Sequence, residues 1–392
     1  LMVAMMGLTV GTVALVARAH GADDSQRVEH VLRQSVLLTI GLGILAATVG
    51  NLLAPQVLSL LGASDKVVDV ALEYLRPLLL GTTFNYLVLL FAAVLRGVGN
   101  TRLPFLISIG ANAINVFLNY GFILGNMGFP ALGIFGAALG TVASQLFGTS
   151  VLLWSIRRGV IVGVGLPFSV RLDVDLIRTL VRIGTPAAID MVILNAAFLS
   201  IIGMLGRIDE VAVAAHGIGL RIQALAFVPG MSVSQATGAM VGQALGARDI
   251  PLARAVLRSS VLLGTLLMSS VAAVIVVFAV PIVGIFDVAE GTALHDYTIQ
   301  WMLCLGYGMP LVGVWIAFVG LLQGAGFTIL SLRINFLSTV LFQIPLSWLL
   351  GFPLGYGTLG VWIAFPIAFL LKGALGYLAY RKGEWARIGK DV

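Results

Sequence analysis

One carboxylate, Asp190, stands inside the apolar run of residues 186 to 205. An ionised group at that depth costs roughly 2.5 to 3.5 kcal/mol or more on insertion scales, so it requires a partner, water or a proton. Three readings stay open: a group that takes up and releases a proton, one side of a structural pair, or a side chain that reaches back to the aqueous boundary near Arg182 and Pro186. Arg221, in the next apolar run, is the best candidate partner, and His216 lies five residues before it. A second polar set, Asn112, Asn115 and Asn119, is spaced i, i+3 and i+7, so that all three amides share one helix face. Amides within a membrane must find partners. The face is therefore either the lining of a wet interior or interhelical glue worth about 0.6 kcal/mol per bond.

Other polar and special residues are weaker signals. Gln145, Gln235 and Met231 are candidates for a cavity lining, and Met5, Met6 and Met240 recur with Met231 in matching stretches, where soft side chains suit either varied apolar ligands or ordinary packing. Pro229, Gly230, Pro310 and Pro345 interrupt long apolar runs and are candidates for hinges or static kinks. Glu73 and Arg76 are spaced for a local i, i+3 ion pair. His295 and Asp296 mark a helix start, with Asp296 expected to cap it rather than bind metal. Gly97 and Gly99, with Gly324 and Gly326, sit where glycine permits a positive φ or a close backbone approach. No metal site is expected, and no nucleotide loop is present, since these Gly-x-Gly pairs lack the flanking strand and helix.

The elements that must hold these residues follow from composition. With 59% hydrophobic and 10% charged residues and a mean hydropathy of +1.05, the chain is far less charged than a soluble domain at about 25%. It reads as an all-α polytopic membrane protein, because the apolar stretches are long enough to cross about 30 Å of hydrocarbon as helices. Spans are expected over residues 1–17, 34–53, 70–94, 103–124, 134–156, 186–205, 211–244, 256–286, 296–322, 329–352 and 358–380. Alternate loops collect eighteen arginines and lysines on one side against Lys66 and Arg207 on the other. That bias predicts a multi-pass cell-membrane protein, inner or plasma, with a cytoplasmic C-terminus, and it accounts for the net charge of +6 without a nucleic-acid partner. The single Cys304 implies no disulfide framework.

The chain also repeats itself. Gly21 to Leu38 matches Gly246 to Leu263 at 10 of 18 positions with an offset of 225, and Leu95 to Thr101 answers Leu322 to Thr328 at 227. Two homologous lobes are implied: an N-terminal lobe over 1–158, a polar linker over 159–182 and a C-terminal lobe over 183–392. The second lobe counts six spans and the first five. Since Leu1 maps into the interior of a helix of the second lobe, the expectation is a parent with two six-helix lobes, twelve helices in all, shortened here to about eleven by loss of its first helix. With an even count in each lobe, the lobes share one orientation.

Arg96-Gly-Val-Gly-Asn-Thr-Arg-Leu-Pro104, Asn112-Ala-Ile-Asn-Val-Phe-Leu-Asn-Tyr120 and Leu132-Gly-Ile-Phe-Gly-Ala-Ala-Leu-Gly-Thr141 together resemble the multidrug and toxic compound extrusion (MATE) family. Ala214-Ala-His-Gly-Ile-Gly-Leu-Arg-Ile222 and Gly238-Ala-Met-Val-Gly-Gln243 are similar to its DNA-damage-inducible protein F (DinF) branch. The resemblance implies a twelve-helix secondary antiporter, not an enzyme, in which two lobes enclose a cavity opened alternately to each side. Small organic, often cationic, compounds would leave in exchange for protons or sodium, with the proton placed ahead of sodium. No cofactor is implied, and a monomer in the lipid bilayer is expected. Asn119 stands where family members often carry Asp, which puts a proton site there in doubt. The resemblance also places an important carboxylate on the helix that precedes this sequence. Two rival readings make different demands. A flippase for a lipid-linked saccharide would want several basic residues in its cavity, and only Arg76, Arg221 and Lys372 lie within spans away from their first few residues. A membrane-embedded enzyme would want a cluster of His, Asp, Ser or Cys at one interface.

Overall fold

The computed structural model describes residues 2–161, 164–165 and 171–386. Among them there is no strand, and eleven helical segments are long and apolar enough to cross a bilayer. In chain order these are α1 (Met2–Gly21), α2 (Ser25–Leu60), α3 (Asp65–Gly97), α4 (Arg102–Leu124), α5 (Gly133–Arg157), α6 (Val174–Ile208), α7 (Glu210–Gly246), α8 (Ile250–Val277) with the short α9 (Ala279–Gly284), α10 (Ala293–Gly324), the compound segment α11 (Thr328–Asn335), π-helix (Phe336–Gln343) and α12 (Ile344–Gly351), and α13 (Gly357–Lys382). Apolar runs mark only the part of a helix that sits in hydrocarbon. Backbone hydrogen bonding continues past that part, so α2 begins nine residues before the expected 34 and takes in Arg27, Glu29 and Arg33.

Three boundaries are corrected. The polar stretch 159–182, expected as linker, is already helical from Val174 onward, because Asp173 accepts hydrogen bonds from the N–H groups of Asp175 (3.1 Å) and Leu176 (3.0 Å) and starts α6 there. The run 256–286 is not one helix: α8 ends at Val277 and the chain resumes as α9 after Phe278. Thr292, not Asp296, caps α10, its Oγ1 accepting from His295 N at 3.2 Å.

The chain packs as two compact units, Leu1–Gly184 and Thr185–Val392, with the boundary inside α6. In the first unit α3 is the common neighbour of α1, α2 and α5; in the second, α10 is the common neighbour of α7, α8 and α13. α3 and α10 are repeat mates, so each unit is built around the same element of the repeat.

The repeat extends to individual hydrogen bonds. Asp24 caps α2 by accepting from Arg27 N at 2.9 Å, and Asp249 caps α8 by accepting from Leu252 N at 2.8 Å. The residue before each cap holds a positive φ, 56° at Asp23 and 59° at Arg248. Deeper in, Thr12 bonds Ser35 at 2.9 Å across α1 and α2, and Thr237 bonds Ser260 at 2.8 Å across α7 and α8. The turn glycines divide their duties: Gly99 and Gly326 hold positive φ (86° and 72°), while Gly324 lies directly against the backbone of Gly238. Asp249→Ala should cost about 1 kcal/mol for the lost cap, read as a fall of about 2 to 4 °C in the melting temperature of the purified protein.

The segment preceding α6 is tied to α2. Gln34 uses both ends of its amide: Nε2 donates to Arg171 O at 2.8 Å, and Oε1 accepts from Asp173 N at 3.2 Å. His30 Nε2 lies 2.7 Å from Asp173 Oδ2, and Glu29 Oε2 accepts from Gly165 N at 2.6 Å. The His30 contact, followed by the Leu176 N–H bond, holds the Asp173 carboxyl below the usual aspartate range. A lowered value in the folded state means that the ionised form favours the tie. Its contribution is complete above the ordinary aspartate value of about 3.9 and disappears as pH falls through the lower folded value. Hydrogen exchange at the amides of Asp175 and Leu176, corrected for intrinsic rates, should therefore show protection at about pH 6 that is lost as pH is lowered below the ordinary aspartate range.

Candidate functional site

Asp190 lies four residues after Pro186 on α6, one turn beyond a position that lacks an N–H. The residue is only 8% exposed and is packed within the second unit. Asn335, the last residue of α11, donates from Nδ2 to Asp190 Oδ2 at 2.6 Å. Lys372 of α13 is a second buried charged residue of this unit, and among the described residues no hydrogen bond or ion pair joins it to Asp190. Asn335 and Lys372 are each 4% exposed, and the Lys372 ammonium stands 5.7 Å from the centre of the Phe369 ring.

The expected partners are thereby corrected. Arg221 is exposed on α7, and among the described residues no hydrogen bond or ion pair joins Asp190 to Arg221 or His216. Spacing along the chain put Arg221 in range, but its position on the surface of α7 aims it elsewhere. His216 is fully buried in an aromatic nest, 4.8 Å from the Trp301 ring, 5.7 Å from Phe198 and 6.5 Å from Phe365.

Asn335 has a sequence signal of its own that composition hides. Ser331, Asn335, Thr339, Gln343 and Ser347 recur every four residues, and all are buried. On a regular α-helix a step of four overshoots one turn by about 40°, so such a series would spiral off the face. The wider turn of the π-segment offsets this drift, and its i→i+5 bonding is visible where the Ile344 N–H meets Thr339 O. The result is one buried polar stripe along an otherwise apolar span. Several of its oxygens have no hydrogen-bond partner among the described residues: Ser331 Oγ, Asn335 Oδ1 and Thr339 Oγ1, together with Asp190 Oδ1.

In the first unit the asparagine face is only partly joined. Asn119 Nδ2 donates to Asn115 Oδ1 at 3.1 Å, and Asn115 Nδ2 to Thr141 Oγ1 of α5 at 3.4 Å. Asn112 is exposed and turns back onto Ser108 O of its own helix at 2.9 Å. Glu73 and Arg76 form no ion pair with each other, contrary to their spacing; an exposed i, i+3 pair gains too little to immobilise two long side chains. Instead both line a groove of about 730 Å³ together with Asp69, Leu72, Phe84 and Phe135. Gln145 on α5 is half-buried, whereas Gln235 and Met231 on α7 are exposed, and none of the three borders that groove. Met5 is fully buried core.

Pro229 and Pro310 do not interrupt their helices. α7 runs unbroken through Pro229 and α10 through Pro310, since a proline removes one N–H and the surrounding turns remain bonded. Gly230 is a packing position: a methyl there would come within 2.5 Å of Ile316 Cδ1 and 3.0 Å of Met268 Sδ.

Comparison with known proteins agrees with this architecture. A probable multidrug resistance protein of Bacillus subtilis, YoeA, is 28% identical over 293 residues, which are 73% of this chain and 63% of that protein; the chain thus spans less than two thirds of that relative's length. A probable multidrug resistance protein of Thermotoga maritima, NorM, is 26% identical over 393 residues, covering 98% of this chain and 82% of the relative. The solved structure of a mutant of the Vibrio cholerae MATE transporter VcmN superposes with a TM-score of 0.88 at 23% identity, covering 98% of this chain and 86% of that one, and shares the fold. The MatE family itself matches over residues 1–121 and 186–349, in both units. This multi-pass membrane chain, in which one repeat is folded twice from helices alone, belongs to the MatE family.

Proposed function

We propose that the chain is a secondary active multidrug efflux antiporter of the DinF-like branch, which exports small organic, often cationic, compounds across the inner or plasma membrane in exchange for protons by alternating access. The observation that carries this reading is Asp190, a carboxylate buried on a spanning helix and held by the amide of Asn335. The names of the relatives and the eleven apolar helices support it. A proton arriving at Asp190 cancels the charge that Asn335 holds in place, so its binding changes what the surrounding helices favour. Its release on the other side restores the ionised carboxylate. A differential preference of two conformations for the protonated carboxyl is the only means by which the ion can drive the cycle. Coupling at the pair of Asn115 and Asn119 is a lesser part of the reading, since both amides already donate to partners.

The test uses everted membrane vesicles carrying the protein, given either an imposed proton gradient or an imposed sodium gradient, with uptake of a cationic dye followed by fluorescence. Accumulation under the proton gradient alone is expected. Absence of accumulation under both gradients, with the protein correctly inserted, would sink the reading and point to another amphipathic substrate.

A further inference from the structure

We infer that the polar stripe of α11 and the π-segment holds a short file of bound waters that delivers the proton to Asp190, with Ser331 as its entry residue. The inference rests on the reading of Asp190 as the coupling group and adds the route by which the proton reaches it.

Four oxygens define the route. Ser331 Oγ, Asn335 Oδ1, Thr339 Oγ1 and Asp190 Oδ1 have no hydrogen-bond partner among the described residues, and their residues are each more than nine-tenths buried. Buried polar atoms without partners are rare, and a bound water making about three hydrogen bonds is the usual remedy. The spacing suits one. Ser331 and Thr339 stand one turn on either side of Asn335, about 6 Å along the axis, and one water with two hydrogen bonds of about 2.8 Å spans such a gap. Asn335 joins the row to the carboxylate: its Nδ2 donates to Asp190 Oδ2 at 2.6 Å, and its Oδ1 stays open to a donor.

The hydroxyls of this segment differ as a route requires. A helical serine or threonine often turns back on a carbonyl of its own helix, and Ser338 does so, donating to Ile334 O at 2.6 Å. Ser347 donates to Val361 O at 3.0 Å. Ser331 and Thr339 make no such bond, so each can both give and accept one, as proton hopping along waters needs. The open stretch therefore runs from Ser331 to Thr339, and Ser331, in the first turn of α11, is the end nearer the loop that follows α10. The transfer balances: a protonated water gives its proton to Asp190 Oδ1 and becomes water again, and the carboxylate becomes a neutral carboxyl. Arg333 is exposed on α11 and Lys372 buried on α13, and among the described residues no hydrogen bond or ion pair joins either to Asp190.

The experiment reads the protonation of Asp190 itself. The protein in liposomes is stepped from alkaline to acidic pH while the infrared C=O band of the neutral carboxyl is followed, the band that is missing in Asp190→Asn being the one assigned. Ser331→Ala should slow its rise by about fivefold, the effect of losing one ordinary hydrogen bond expressed as a rate, and leave the pH of half-protonation unchanged. Ser331→Thr, which keeps a hydroxyl, should match the wild type, as should Ser338→Ala, whose hydroxyl is engaged by Ile334 O. A wild-type rate in Ser331→Ala overturns the inference, and so does equal slowing in Ser331→Ala and Ser338→Ala, which marks loosened packing. Should Ser331→Ala fail to insert, the wild type decides: in heavy-oxygen water, the O–H bands that change as Asp190 takes its proton should shift, and an unshifted spectrum overturns the route. Failure of the coupling reading looks different, since then no carboxyl band depends on Asp190 and no dye moves under either gradient, and the route falls with it.

Discussion

Asp190→Asn is expected to abolish gradient-driven dye accumulation while leaving a folded, membrane-inserted protein. The substitution is nearly isosteric, and the new side chain keeps an oxygen that can accept from Asn335 Nδ2, which now lies 2.6 Å from the carboxylate. What is lost is the capacity to bind and release a proton. Any coupling that passes through this group goes with it, and couplings between two ligands of one protein are commonly about 1 to 3 kcal/mol, or roughly 5 to 150-fold. Accumulation against the gradient should therefore fall to the level of vesicles without the protein, while equilibrium binding of dye to the purified variant persists. A variant that still accumulates dye at the wild-type rate would show Asp190 to be structural. Loss of monodisperse protein would instead locate its role in folding.

The second large effect is on stability and concerns the centre of the second unit. α10 meets its neighbours through glycines. Gly324 presses on the backbone of Gly238 of α7, a Cβ on Gly320 would come 2.5 Å from Ser234 O, and Gly313 and Gly264 would place a Cβ 2.5 and 2.9 Å from each other's carbonyl oxygens. Close approach of small residues is what holds helices together where lipid removes the hydrophobic driving force. A methyl at Gly324 meets backbone, which cannot rotate aside as a side chain can. Gly324→Ala should therefore cost about 3 kcal/mol, the upper end of ordinary overpacking, seen as a fall of about 6 to 12 °C in melting temperature. Gly217→Ala is the control: a Cβ there meets nothing within 4 Å, and alanine is the better helix former by about 1 kcal/mol. That variant should melt at or above the wild type. Equal melting of the two variants would mean that the α7 and α10 backbones are not in contact.

Much of the architecture is legible without coordinates because its causes are local or repeated. An apolar run must exceed a fixed length to cross the bilayer, which is why such runs mark all eleven spans and why they leave out the polar ends: Arg27 and Asp175 belong to helices, but not to their apolar parts. The offset of 225 is visible as letters and reappears as hydrogen bonds, since Thr12 with Ser35 and Thr237 with Ser260 are the same contact made twice. Asp190 is conspicuous for a local reason too, being a charge in an apolar run.

Its surroundings are not. Asn335 is 145 residues away in sequence, and pairing over such a distance depends on how α6, α11 and α13 pack, which no spacing rule contains; proximity along the chain favours Arg221, whose side chain points out of the packed face. The π-segment is hidden because its apolar residues read as an ordinary span, although the four-residue period of Ser331, Asn335, Thr339, Gln343 and Ser347 is there to be seen. By itself the sequence determined a twice-repeated all-helical membrane chain and singled out one costly carboxylate, since bilayer thickness and charge burial act on each segment separately. Only the tertiary structure decided which groups share the interior with that carboxylate, because buried polar partners are chosen by packing in three dimensions.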